Sequence, residues 1–261
     1  MLTGRGRYVS DWNLEGQAHG AFLRSDRPHA RLVSIDASAA LAMPGVIAVF
    51  TGEDALDAGY KSLPAFAPMK GRNGTDLIIP HRPTLAIEYV RYVGEPIAIV
   101  VAETAVQAQD AAESIVVDYE ERPAVFDARD AIAPGAPLVH ADVTGNLALD
   151  FVGGDEAGTA AAFSNAAHIV KLDAYHTRVV GNPMEPRTCI GSFDEATGMY
   201  YLHACTQGAS VMRNQISTVL GVPPEKISIV AEEVGGGFGV RFNLYPEYCE
   251  RSSPPRRWAA R

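Results

Sequence analysis

The chain has 261 residues, of which 47% are hydrophobic, 20% charged and 8% aromatic. That is enough apolar material for one large domain or two ordinary ones, and too much for a chain that is disordered throughout. The 22 basic and 31 acidic residues give a net charge of −9, which argues against non-specific nucleic-acid binding, because that needs a basic surface to displace counterions. The longest clean apolar run, residues 97–102, is far short of the ~20 residues a membrane-crossing helix requires.

Met1 runs into a polar Thr-Gly-Arg-Gly-Arg segment that does not read as a signal peptide. Residues 17–24 and 30–35 read as short strands joined by a turn at Asp26-Arg27-Pro28. Ser38 is placed to cap a short helix through Met43, which Pro44-Gly45 ends. Residues 46–50 read as a buried-type strand, and a Pro-, Gly- and Lys-bearing loop covers about 59–83. The continuous β-branched run 97–102 predicts an interior strand. Thr104-Ala-Val-Gln107 is a capping box opening an alanine-rich helix to about Ser114, and residues 115–119 form the next strand. The pattern is α+β.

Pro134, Gly135 and Pro137 make 133–143 a linker, and the reading places a domain boundary near it. Beyond it, residues 168–179 alternate loosely as a long strand. Residues 188–193 and 199–206 flank Asp194-Glu-Ala-Thr-Gly198 as a hairpin. Residues 210–220 predict a helix ended by Gly221, and residues 227–231 a strand that runs into Gly235-Gly-Gly-Phe-Gly239.

That glycine cluster is the sharpest local signal. Bare backbone directly after a strand lets N–H groups approach an anionic or oxo ligand. It is neither a Walker A loop nor a GxGxxG, because Val240 occupies the sixth position; for an isolated cluster, a tightly turned loop is the alternative. Gln207, at a strand end, can donate its amide to a ligand oxygen or lie solvated. Glu185 reads either as a buried carboxylate or as a loop residue, and Glu232-Glu233 as a solvated strand end. Cys189, Cys205 and Cys249 form no CxxC pair, and the seven histidines show no ligand spacing, so no metal ligands are expected within the chain. The thiol count suits a reducing cytoplasm.

Together these segments resemble the large, molybdopterin-binding subunit of the molybdenum hydroxylases: xanthine dehydrogenase, aldehyde oxidase and aerobic carbon monoxide dehydrogenase. The phrases Thr3-Gly-Arg-Gly-Arg-Tyr8, Pro44-Gly-Val-Ile-Ala-Val49, Val90-Arg-Tyr-Val-Gly-Glu-Pro96 and Val117-Asp-Tyr-Glu120 resemble that family's α/β hammerhead domain. Pro183-Met-Glu-Pro-Arg187, Thr206-Gln207 and Gly235-Gly-Gly-Phe-Gly239 resemble the first part of its molybdopterin-binding region. The resemblance implies a hammerhead domain over 1–135, an incomplete molybdopterin-binding domain over 136–249 and an aberrant tail over 250–261.

It implies that Gln207 is the glutamine beside the molybdenum, and that Gly236, Gly237, Phe238 and Gly239 touch the cofactor and metal oxygen. Phe242 stands where xanthine-oxidising members carry a substrate-orienting Glu, so aldehydes, N-heterocycles or carbon monoxide are the expected substrates, hydroxylated with water as oxygen source. The implied cofactor is molybdenum–molybdopterin, in its cytosine dinucleotide form, with FAD and iron–sulfur clusters only in partner subunits of a cytoplasmic complex. The family's general base lies further along full-length subunits, so this chain alone is expected to be inactive; the alternative is a non-catalytic fragment or binding module that keeps the hammerhead fold.

The family continues past the Tyr245-Pro246-Glu247 phrase into a helix, whereas residues 250–261 read as neither helix nor strand. An adjacent reading frame with GC-rich codon choices permits a segment close to the family's helix, so the expectation is a frameshift near Cys249 or Glu250, with a divergent basic tail as the alternative, and the start also looks clipped. On this reading the strand at 227–231 lacks partners, and limited proteolysis leaves a resistant core ending near residues 130–145.

Overall fold

A strand without polar relief must be covered on both faces, and the computed structural model, which describes residues 3–65, 69–177 and 179–251, supplies that cover. The first half has strands β1 (His19–Arg24), β2 (Ala30–Asp36), β3 (Val46–Thr51), β4 (Tyr89–Val90), β5 (Pro96–Ala102) and β6 (Val116–Glu121). They form two antiparallel sheets of three strands, in the orders β1-β5-β3 and β4-β2-β6. Strand β5 is central, as its apolar run predicts. Its Ala98 and Val100 pack with Ala111, Ala112 and Ile115, while Ile97 points into a cluster with Ala30, Leu32, Ala86 and Val90. The run is continuous because helix and second sheet each dry one face, and this happens in an antiparallel sheet.

Helices α1 (Ser38–Leu41), α2 (Gly52–Asp57) and α3 (Ala105–Ser114) punctuate this half. Helix α3 starts where the capping box predicts: Gln107 N–H donates to Thr104 Oγ1 at 3.2 Å, and the hydroxyl donates back to Gln107 Oε1 at 2.8 Å. Its buried face is all alanine, which lets the helix sit close on β5. Two local expectations change. Ser38 is the first residue of α1 rather than its cap, and Asp36 Oδ1 takes the Ser38 N–H at 2.9 Å. Strand β3 lies on a sheet edge and is only half-buried, with Ile47 exposed, because just one neighbour covers it.

Residues 133–143 are less free than a linker. Asn146 donates to the carbonyls of Ala131 and Pro137 and accepts the Val139 N–H, and Arg91 Nε donates to Val139 O. Short helices α4 (Ala128–Ala131) and α5 (Glu156–Asn165) follow; α5 lies wholly exposed. The predicted strand over 168–179 is absent: its described residues make no strand and stand in solvent, Val170 at 91% and Leu172 at 88% exposure. Alternation marks which side chains would share a face, but a strand exists only where a second backbone takes its N–H and C=O groups.

The second half contains β7 (Cys189–Asp194), β8 (Met199–Ala204), α6 (Ala209–Leu220), β9 (Ile227–Val230) and α7 (Pro246–Arg251). The hairpin β7–β8 turns on Asp194, whose carboxylate accepts from Ala196 N, Thr197 N and the Thr197 hydroxyl. Helix α6 ends at Gly221, which has φ of +65°. The expectation that residues 227–231 lack a partner is wrong: β9 pairs in parallel with β8, Tyr200 opposite Ile227 and His203 opposite Val230. Helix α6 makes the crossover between them and buries Met212, Ile216 and Val219 against Leu202 and Ile227. Helix and strand are both predicted from the sequence; their pairing is not, because β8 and β9 meet only across the helical crossover. Helix α7 includes Glu250 and Arg251, so the non-helical reading of the tail fails for them; residues 252–261 lie outside the described residues.

The halves share a core. Ala55, Tyr60 and Leu63, from the first half, are buried among Tyr200, Leu202, Ile216 and Leu220 of the second. Lys61 N–H donates to Val219 O at 2.9 Å, and Arg24 at the end of β1 pairs with Glu247 on α7.

Candidate functional site

Strands β8 and β9 are parallel neighbours, so the segments that leave their carboxyl ends emerge at one end of the sheet. That edge is where open α/β units bind ligands. Gln207 lies just beyond β8 and the glycine loop just beyond β9, so the topology brings together two segments about thirty residues apart in sequence.

Contact between them is close. A Cβ built on Gly237 would fall 2.4 Å from Cδ of Gln207, so only a glycine lets the glutamine side chain lie on this backbone. The glutamine is tied at both ends to one residue. Gln207 N–H donates to Arg241 O at 3.1 Å, and Arg241 N–H donates to Gln207 Oε1 at 3.3 Å. With Oε1 occupied by a donor, the side-chain NH2 is the group left to donate outward. The Thr206 hydroxyl adds a weaker bond to Arg241 O at 3.4 Å and accepts the Gly208 N–H at 3.1 Å.

The loop carries positive φ at three of its four residues from 236 to 239. Gly236 and Gly239 have φ of +107° and +82°, and Phe238, between them, has φ of +50°. A left-handed aromatic residue is strained by about 1–3 kcal/mol and persists only where its surroundings fix it. Val240 N–H to Gly237 O (3.1 Å) and Phe242 N–H to Gly239 O (3.2 Å) close successive turns around it. Among the described residues, the N–H groups of Gly236, Gly237, Phe238 and Gly239 have no hydrogen-bond partner. Successive unpaired N–H groups carried on tight turns make an anion-binding concavity. The Phe238 ring is 74% exposed, and Phe242 is half-buried, its ring 3.8 Å from where a Cβ of Gly208 would stand.

Under this loop sits a pair that sequence reading left unresolved. Glu185 is the buried carboxylate of its two alternatives: its side chain is 0% exposed and pairs at 2.8 Å with Arg241, whose side chain is 2% exposed. Arg241 was missed, because a lone arginine after a glycine motif reads as solvated. The available signal was the Met-Glu-Pro-Arg phrase, both of whose charged residues serve the loop. Arg187 stacks over the Tyr245 ring at 3.6 Å, and Tyr245 Oη donates to Val240 O at 2.7 Å. Glu233 is exposed, as expected for a strand end, and also accepts the Arg7 N–H at 2.5 Å.

Cys189, Cys205 and Cys249 are buried thiols, and burial beside the Glu250 carboxylate pushes the Cys249 thiol up. Among the described residues no group of three or more His, Cys, Asp or Glu side chains could hold a metal ion, and no helix is long and apolar enough to cross a membrane.

This fold and edge site coincide with two family models: aldehyde oxidase and xanthine dehydrogenase, a/b hammerhead domain, over residues 3–123, and molybdopterin cofactor-binding domain over residues 139–250. The chain belongs to the molybdenum hydroxylase large-subunit family, of which it carries the hammerhead domain and part of the molybdopterin-binding region. It is 34% identical over 260 residues to the carbon monoxide dehydrogenase large chain of Hydrogenophaga pseudoflava, which covers 95% of this chain and 31% of that protein. It is 34% identical over 251 residues to the nicotine 6-hydroxylase large subunit of Paenarthrobacter nicotinovorans, with 95% and 29% covered. Quinoline 2-oxidoreductase from Pseudomonas putida 86 superposes with a TM-score of 0.81 at 35% identity, over 95% of this chain and 31% of that one. The chain thus spans less than a third of the length of these relatives.

Proposed function

We propose that Gln207 and the loop Gly236, Gly237, Phe238 and Gly239 form the hydrogen-bonding cradle for a molybdopterin-bound molybdenum centre, within a subunit that hydroxylates an aldehyde, an N-heterocycle or carbon monoxide. The observation that carries this is the seating of the Gln207 side chain on the bare backbone of Gly237, beside four unpaired N–H groups. The donor set fits the group. Molybdopterin brings its own sulfur ligands for the metal, so the protein needs no metal-binding cluster; what it must offer is N–H groups for phosphate and oxo oxygens. Any side chain at position 237 would fill that cradle.

When bound, the molybdenum cofactor supplies two-electron oxidation of carbon with water as the oxygen source. The chain's own residues bind and orient. The Gln207 NH2 would donate to an oxygen of the bound group, and the loop N–H groups would hold its negative charge in place without reorganising. Phe242, apolar and beside Gly208, offers no carboxylate to orient a purine, which leaves aldehydes, N-heterocycles or carbon monoxide as the substrate classes. The cytosine dinucleotide form of the cofactor, and iron–sulfur and FAD subunits as electron acceptors, complete the proposal.

The test is anaerobic titration of the 261-residue chain with molybdopterin released from a molybdenum enzyme, followed by calorimetry and molybdenum analysis of the re-isolated protein. Saturable binding by the wild type that Gly237→Ala weakens supports the reading. Binding that is absent, or unaffected by Gly237→Ala, overturns it and favours a non-catalytic binding module with the hammerhead fold.

A further inference from the structure

Resting on that reading of the site, we propose that the buried Glu185–Arg241 pair is the positioning device of the cradle, with Arg241 coupling Gln207 to the glycine loop. The pair gathers four chain segments. Glu185 Oε2 accepts Arg241 Nη1 at 2.8 Å and the Gly235 N–H at 2.9 Å, and Oε1 faces the Val9 N–H at 3.5 Å. Arg241 Nη2 donates to Glu185 O, while Arg241 N and O hold Gln207. One carboxylate therefore fixes both ends of the loop, at residues 235 and 241, and the loop's far end fixes the glutamine.

Almost every arm of this network ends on main chain, which makes it a device for placing backbone N–H groups. Space is equally constrained. A Cβ on Gly235 would fall 2.6 Å from Glu185 Cβ and 2.9 Å from the Tyr8 ring, so the carboxylate and the N-terminal segment grip the loop where it begins. With residues 235 and 241 pinned, the chain between them has little choice of path, and Phe238 takes its left-handed conformation there. As a source of stability the pair is unremarkable, because apolar replacements of a buried ion pair are commonly neutral or stabilising. Its directional effect is different: the guanidinium, held by both the carboxylate and the main-chain carbonyl of Glu185, sets where Arg241 N–H lies, and hence where Gln207 points.

The experiment compares wild type, Glu185→Gln, Arg241→Lys and the apolar double variant Glu185→Leu/Arg241→Met, each as the full 261-residue chain. Thermal melting, amide exchange at residues 235–239, the Gln207 side-chain amide resonances and molybdopterin affinity are measured together. The double variant is expected to melt close to wild type, yet to lose Gly235 protection, shift the Gln207 side-chain resonances and bind molybdopterin about 10- to 100-fold more weakly. Arg241→Lys, which keeps the charge and loses the rigid planar fork of donors, should fall between wild type and the double variant. A folded double variant with unchanged Gln207 resonances and Gly235 protection overturns the proposal. Should the double variant not fold, unmoved Gln207 resonances in both Glu185→Gln and Arg241→Lys overturn it equally. Because exchange and resonances are read without cofactor, a wild type that fails to bind molybdopterin defeats the proposed function and leaves this test intact.

Discussion

Arg241 holds Gln207 from both sides of the same peptide unit pair: it accepts the Gln207 main-chain N–H at 3.1 Å and donates its own N–H to the side-chain oxygen at 3.3 Å. The exposed glutamine is thus ordered by a residue whose guanidinium is buried.

Gln207→Ala should therefore leave stability within about 0.5 kcal/mol, as for an exposed side chain. Molybdopterin affinity should fall by about tenfold or more, the worth of a hydrogen bond to a charged group. Calorimetric titration beside a melting curve measures both; parallel losses would mean the residue is structural.

Gly237→Ala places a methyl 2.4 Å from Gln207 Cδ. The glutamine must swing away or the loop must move, at about 1–3 kcal/mol if packing cannot relax. The readable outcome is a larger defect in cofactor binding than Gln207→Ala gives, because loop N–H groups move as well.

Glu250 gives a pH dependence. Its side chain is buried on α7, and burial pushes its carboxyl up to about 7 from 4.5, the nearby Thr84 hydroxyl opposing the rise. The folded state then binds the proton more tightly than the unfolded state. Stability from this group is complete below pH 4.5 and is lost as pH rises through about 7, a difference of about 3 kcal/mol. Glu250→Leu should remove that slope and raise the melting temperature at pH 8; chemical denaturation of both proteins between pH 5 and 8 checks it, and parallel curves would contradict it.

Proteolysis reports the shared core. Lys171 lies in the exposed stretch that follows α5, whereas Ala55, Tyr60 and Leu63 are locked among Leu202 and Ile216. Brief trypsin treatment should nick at Lys171 and leave both fragments co-eluting on a native sizing column. This replaces the expectation of an isolated core ending near 130–145; separate elution of the fragments would restore it. Leu63→Ala, at about 2–5 kcal/mol, should make the fragments come apart.

What was legible in the sequence was local. The apolar run of β5, the Thr104 cap of α3, the Asp194 turn and the Gly221 stop each rest on neighbours within a few residues. What was hidden was pairing at a distance. Strand β9 finds β8 across a helical crossover, and residues 168–177 alternate like a strand yet meet no second backbone. In the site, the glycine loop and Gln207 could be singled out because glycine clusters and family phrases are visible in one dimension. The Glu185–Arg241 pair could not, since a charge is read as solvated until its partner, 56 residues away, is seen buried with it.

The most direct measurement is the nitrogen–proton correlation spectrum of the isotopically labelled chain during anaerobic titration with molybdopterin. A cradle at this edge of the sheet predicts shifts confined to the amides of Gly236, Gly237, Phe238 and Gly239 and the side-chain amide of Gln207, saturating together with one affinity. Shifts that fall elsewhere, or a Gln207 response independent of the loop, would contradict it.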